Sequence, residues 1–241
     1  MAVQSPMELL HLVAMEVYLA LDKVGKIDDD MRIAKEHLAL LGSGNKRGDH
    51  QGICVPLFCV RSKKSQGIGD FSDLKRLIDL ARACKLSIIQ LLPMNDTGSE
   101  SSPYSALSAF ALNPIYIDLK ALPAPPTSKR LAGYERHLKE LEDKDRLQYK
   151  QVRDYKLKWL RLYFEKKGHL KKIQRPLGLF AQKHKWVMDY ALFLCLRETY
   201  ACPWWKFPKS YQRPSPSIKA GLKKRYRGEI DFILFVQWVL L

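Results

Sequence analysis

Apolar and polar positions change period several times along the chain, and the changes mark its elements. Ile53 to Val60 is a nearly continuous apolar run without alternation, the pattern of a parallel strand buried on both faces. A polar, glycine-bearing loop follows from Ser62 to Gly69. Phe71, Leu74, Leu77, Ile78 and Ala81 then recur at helical spacing, so one face of a helix packs inward. Asp70 stands at the start of that helix with Asp73 three residues on, a capping-box-like arrangement, and acids suit this end of the helix dipole. Ser87 to Met94 is a second apolar run, broken at Pro93. The unit is strand, helix, strand, and the default for such a crossover is right-handed and parallel.

The polar loop after the second run carries Asn95, Asp96, Ser101, Ser102, Pro103, Tyr104 and Ser105. In parallel α/β folds, loops at the carboxyl ends of strands build the binding site. Ser-Pro-Tyr there presents a stiffened aromatic, because proline fixes its own φ and restricts the residue before it. Ile115, Ile117 and Leu119 alternate after the Asn113-Pro114 turn and predict a short strand. Pro123, Pro125 and Pro126 mark a boundary. From Tyr134 to Lys167 one long helical pattern runs, with Val152, Tyr155, Trp159 and Tyr163 on one stripe and Gly168 as its stop. Further helices are predicted over Trp186 to Thr199 and from Glu229 to Leu241, the latter ending in mid-pattern without a cap. Upstream, Met1 to Leu41 is helical in pattern, through Leu9, Leu12, Val13, Val17 and Leu21 and then Ile33, Ala34, Leu38 and Leu41, with Gly42 to Asn45 as a linker.

Composition narrows the function. A chain of 241 residues with 46% hydrophobic content can bury a full core. No apolar run approaches membrane-spanning length, and Met7 to Leu21 is interrupted by Glu8 and Glu16 with no basic stretch before it, so neither a membrane span nor a secretory signal is expected. Cys54, Cys59, Cys84, Cys195 and Cys202 are odd in number and lack CxxC spacing, and three of them sit in apolar strand or helix patterns, where a free thiol acts as a small hydrophobe; a reducing cytoplasm is expected. His11 and His37 stand alone, so no metal site is expected. The net charge of +16 raises a nucleic-acid reading, but 27 basic and 9 acidic residues lie between Lys129 and Arg227, against 14 and 16 elsewhere. The excess belongs to one helical segment, where a solvated face is the simpler reading. Zinc spacing, an RNP-like pattern and a helix-turn-helix signature are all missing, so no nucleic-acid partner is expected.

Pro56, Gly67-Ile68-Gly69-Asp70-Phe71, Asp73-Leu74, Gln90-Leu91-Leu92-Pro93, Ser102-Pro103-Tyr104-Ser105, Ser108-Ala109-Phe110-Ala111 and Asn113-Pro114 stand together in order and spacing. Through them the chain closely resembles the amylomaltase family, the 4-α-glucanotransferases of glycoside hydrolase family 77. Trp186-x-x-Asp189-Tyr190-Ala191-Leu192-Phe193 and the Trp204, Trp205, Phe207, Pro208 turn resemble later stretches of that family. The aromatic turn has two readings, a stacking platform for sugars or a hydrophobic knot pinning helices, with the knot as the expectation.

The resemblance implies an α/β fold, the amino-terminal portion of a TIM (β/α)8 barrel with helical insertions, and an incomplete one. Residues 1–45 would form a helical lead-in and linker, and 46–122 the first two barrel βα units with the sugar-facing loop. Residues 123–228 would be a basic helical insertion, and 229–241 the start of a helix leading to the next strand. It further implies a retaining transfer of an α-1,4-glucan segment to a glucan acceptor, by two carboxylates about 5–5.5 Å apart. These acids, with a third, are expected beyond Leu241, so the chain alone is expected to be inactive. Asp96 and Glu100 are expected to be merely solvated. For substrate binding the resemblance implies Tyr104, whose counterpart lines the donor site, and more weakly Ser102. Asn113 and Asp70 are expected to serve as a turn and a cap. Leu112 stands where the family usually has glycine, which questions the backbone path after Phe110. Partners would be α-1,4-glucans as donor and acceptor, with no cofactor, nucleic acid or membrane. Two strands alone would leave an unpaired edge and an apolar face without neighbours.

Overall fold

The computed structural model describes residues 52–123, 125, 128–142, 144 and 146–241, so the expected lead-in over 1–45, with His11 and His37, lies outside the described residues. Strand β1 (Gly52–Val55) pairs in parallel with β2 (Ile88–Leu91), Ile53 opposite Ile89 and Cys54 opposite Gln90. Helix α1 (Phe71–Ala83) connects them, as the apolar spacing predicts. Its start is a full capping box: the Asp70 side chain accepts from the Ser72 and Asp73 N–H groups, and Asp73 accepts from the Asp70 N–H.

Strand β1 is shorter than its apolar run. Pro56 has no N–H to donate to a ladder, and Leu57–Cys59 turn into a 3-10 helix. Nor are the strands buried on both faces. Ile89 is buried and Ile53 and Val55 pack against the core, while Gly52, Cys54, Ile88 and Gln90 are exposed. The sheet therefore has one covered and one bare side, and Cys54 and Cys59, expected as small buried hydrophobes, are exposed.

The polar, glycine-bearing loop from Ser62 to Gly69 folds inward, with residues 65–69 buried. Ser62 and Ser65 each donate a hydroxyl to Asp73 at 2.7 Å, and Arg76 reaches the same carboxylate at 2.7 Å. Gly69 is required by close approach: a Cβ there would lie 2.1 Å from the Leu57 carbonyl oxygen.

Beyond β2 the chain makes two 3-10 turns, Pro114–Tyr116 and Leu119–Ala121, where alternation predicts a strand. Ile115, Ile117 and Leu119 are buried as expected, but their backbone groups are answered by side chains. Lys156 donates its Nζ to the Ile115 and Ile117 carbonyls at 2.7 and 2.8 Å, and Gln66 Oε1 accepts from the Leu119 N–H at 3.0 Å. Burial pushes the wholly enclosed Lys156 down to about 8, against the pull of Asp70, Asp118 and Asp73.

Seven helices follow: α2 (Lys129–Glu142), α3 (Tyr149–Lys167), α4 (Lys171–Lys183), α5 (Trp186–Tyr200), α6 (Lys209–Gln212), α7 (Pro216–Arg225) and α8 (Arg227–Leu240). The single pattern from Tyr134 to Lys167 is two helices, which meet through the Tyr155 ring, 6.1 Å from Tyr134 and 5.0 Å from His137. Helical period does not register a reversal built from polar helix formers. Helix α4 was not predicted, and it carries Pro176 in its interior. Trp159 is fully buried on α3, and Tyr163 and Phe164 lie 5.8 and 5.0 Å from Phe235 of α8.

Candidate functional site

The loop from Met94 to Asn113 leaves the carboxyl end of β2 and divides into a stem and a tip. In the stem, Asn95 and Leu112 form an antiparallel bridge, with the Asp96 N–H donating to Ala111 O at 2.8 Å and the Asn113 N–H to Met94 O at 3.0 Å. Leu112 keeps a negative φ, so the missing glycine costs the backbone nothing. Instead Leu112 is met by Gln237 of α8: its N–H donates to Gln237 Oε1 at 3.0 Å and its carbonyl accepts from Nε2 at 2.9 Å. The side-chain amide thus completes the ladder as a neighbouring strand would.

Two further helices hold the same stem. Tyr149 at the start of α3 bonds Thr97 Oγ1 at 2.8 Å and accepts from Asn113 Nδ2 at 2.7 Å. Asn113 also caps the 3-10 turn by accepting from the Ile115 N–H, as expected of a turn residue. Tyr190 of α5 donates its hydroxyl to Asp96, and burial together with that carboxylate holds the phenol well above its ordinary range. Asp96, expected to be solvated, is only 1% exposed; it also accepts from the Gly98 N–H at 2.9 Å and pairs with Arg153 at 3.6 Å. Gly98 has φ +63° and lets the Arg197 guanidinium approach, which a Cβ would meet at 2.9 Å. Phe110 lies over Trp186, rings 5.7 Å apart and 23° from parallel.

The tip is different. Residues 99–102 and 104–106 are exposed, Tyr104 by 72%. Its turn is closed by Ser105 N–H to Ser102 O at 3.1 Å, and its base is tied to Thr97, which accepts from the Glu100 N–H at 3.3 Å and donates Oγ1 to the Glu100 carbonyl at 2.6 Å. Tyr104 and Ser102 therefore stand together at the tip, open to solvent. Sequence reasoning did not find the residues that fix this loop, Tyr149, Arg153, Tyr190 and Gln237. The available signal was a polar side chain on an apolar stripe, as Gln237 is within α8.

A cleft of about 990 Å³ opens beside the stem, between α3, α5 and α8. Asp96 and Ser99 line it at the loop and Trp204 and Trp205 also border it. Arg161 crosses its wall, 2.5 Å from Glu229 and 3.7 Å from the centre of the Phe232 ring. The aromatic turn is split between its two readings: Phe207 is buried against Tyr200, rings 5.7 Å apart, while Trp204 and Trp205 are 52% and 61% exposed. The knot is Phe207 alone. No helix among the described residues is long and apolar enough to cross a membrane.

Comparison with known proteins agrees with these motifs. Residues 55–241 match the family described as 4-alpha-glucanotransferase. The 4-alpha-glucanotransferase of Chlamydia caviae is 33% identical over 195 residues, 78% of this chain and 36% of that protein. That of Chlamydia pneumoniae is 33% identical over 205 residues, 83% of this chain and 38% of that protein. The 4-alpha-glucanotransferase DPE2 of Oryza sativa subsp. japonica is 33% identical over 155 residues, 62% of this chain and 16% of that protein. The matches with the two chlamydial relatives thus span well under half the length of either relative.

Proposed function

Because this chain belongs to the 4-alpha-glucanotransferase family, we propose that it is the substrate-recognising part of an enzyme that moves a segment of an α-1,4-glucan to a glucan acceptor with retention. The parallel β1–α1–β2 unit is then the first part of a (β/α)8 barrel, and the helices from α2 to α7 an insertion that braces its second loop. Tyr104 lays its ring on a sugar face and offers its hydroxyl to a sugar oxygen, with Ser102 as a second hydroxyl contact. The observation that carries this reading is the loop itself: an aromatic 72% exposed, at the carboxyl end of a parallel strand, above a stem held by three helices.

The same reading leaves the reacting carboxylates outside these residues. Asp96 is committed to Tyr190, Arg153 and the Gly98 N–H, so it has no free face for an anomeric carbon. Glu100 sits exposed on the tip, where nothing desolvates it as an acid catalyst requires. The five free thiols suit a reducing cytoplasm.

Electrophoresis through a gel containing α-1,4-glucan tests recognition. The chain should be retarded and Tyr104→Ala retarded less; equal mobility of the two would remove Tyr104 from the site. Glucose release from maltotriose should be undetectable with these 241 residues. Its appearance would overturn the assignment of the reacting acids.

A further inference from the structure

From Lys206 to Arg227 the chain carries eight lysines and arginines and no aspartate or glutamate. Seven of the eight are exposed; Lys219, half-buried, is neutralised by Asp189 at 2.6 Å. Arg227 lies close enough to Asp231 to offset part of the rise that burial imposes on that carboxyl. The other six, Lys206, Lys209, Arg213, Lys223, Lys224 and Arg225, have no ion pair among the described residues. Like charges at this density repel and oppose compaction, so a solvated face is a costly way to gain solubility.

Trp204 and Trp205 open this segment, and their rings stand 6.1 Å apart at 84°. Their backbone is fixed. Gln212 of α6 donates to the Trp205 and Phe207 carbonyls at 2.9 and 2.8 Å, and Phe207 is anchored in the core. Helix α7 is held to α5 through Tyr226 and Thr199, whose hydroxyls lie 2.8 Å apart. Stacking rings and basic side chains thus lie along one segment anchored at both ends.

We propose that this segment, Trp204 to Arg227, docks an α-glucan that carries phosphate monoesters through contacts that do not involve Tyr104; the glucan half of this rests on the function proposed above. Two exposed rings set nearly at right angles suit successive units of a curved chain, which present their faces in changing directions. A neutral glucan would gain nothing from six cations that lack an ion pair. A phosphate ester carries about −1.5 to −2 charges at neutral pH and three acceptor oxygens, which such cations bind. A lipid surface fits less well. Apart from the two rings the segment's exposed positions are polar, small or proline, so no apolar helix face is free to enter a bilayer.

The experiment measures binding of the chain to a phosphorylated α-glucan, to the same glucan after phosphatase treatment, to a single-stranded oligonucleotide and to phosphatidylserine vesicles. At about 50 mM salt the phosphorylated glucan should bind on the order of 10-fold more tightly than the dephosphorylated one, and the difference should shrink toward about 300 mM. Trp204→Ala with Trp205→Ala should weaken binding to both glucans. Lys223→Glu, Lys224→Glu and Arg225→Glu together should abolish only the preference for phosphate. Tyr104→Ala should leave that preference intact, which separates failure of the loop reading from failure of this one. Equal binding of the two glucans, or a preference that survives charge reversal, would overturn the proposal. So would an oligonucleotide or vesicle that binds more tightly than either glucan, since the surface would then belong to that partner.

Discussion

The stem and the tip of the Met94–Asn113 loop are built on opposite terms. In the stem, backbone groups are met by side chains brought from far along the chain: Gln237 is 125 residues from Leu112, Tyr190 is 94 from Asp96, and Tyr149 is 36 from Asn113. At the tip, the turn around Tyr104 is closed by bonds between residues a few positions apart. A recognition loop needs both. A fixed stem removes the ordering cost of binding, and an uncommitted tip leaves its polar and aromatic groups for the ligand. The helices from α2 to α8 make sense as bracing for a short stretch of chain that they do not form.

If the contrast holds, substitutions should divide by position. The largest effect is expected for Asp96→Ala, which leaves the Tyr190 hydroxyl and the Arg153 guanidinium enclosed without their acceptor. Arg153 Nε already lacks a partner. Chemical denaturation should show a loss of about 3–5 kcal/mol; a loss below about 1 kcal/mol would mean the stem is held elsewhere.

Gln237→Leu comes next. It strands one part-buried N–H and one part-buried carbonyl at Leu112, and the expected cost is about 1–3 kcal/mol. Amide exchange at Leu112 should accelerate well beyond that of α1. Unchanged protection would show that the Asn95–Leu112 bridge stands without the side-chain amide.

A third test compares pH dependence. Lys156 binds its proton less readily folded, at about 8, than unfolded, at the ordinary lysine value of 10.5. Its contribution to stability is therefore fully present above the unfolded value and is lost as pH falls through about 8. The difference in unfolding free energy, wild type minus Lys156→Met, should rise between about pH 8 and pH 10. Taking the difference cancels the buried tyrosines Tyr116 and Tyr190, which titrate in the opposite sense. A flat difference would show that the ammonium is solvated.

The smallest effect is expected at the tip. Tyr104→Ala should change stability by no more than about 0.5 kcal/mol, as for other exposed sites, while weakening retardation by glucan. A large loss of stability would place the ring in the fold.

Local chemistry was legible in the sequence; long-range chemistry was not. The Asp70–Asp73 cap, the α1 stripe, the turn role of Asn113 and the helices α5 and α8 follow from residues within a few positions of one another. Burial of Asp96 does not, because its partners lie on α3 and α5. Lys156 could have been suspected. It follows Val152 by four residues and precedes Trp159 by three, so it sits on the apolar stripe of α3. The expected strand at Ile115–Leu119 failed for the same reason: the apolar positions are buried, but so is Tyr116 between them, and a lysine and a glutamine, not a neighbouring strand, satisfy the backbone.

The uncovered side of the two-stranded sheet places the Cys54 thiol beside Ile88 and Gln90, in reach of solvent. An alkylating reagent applied to the chain should modify that sulfur quickly, whereas Cys84 and Cys195, both enclosed, should react slowly. Cys54 is thus a native footprinting probe: its labelling rate reports, without any engineered tag, whether another polypeptide has come to rest on that side of the strands.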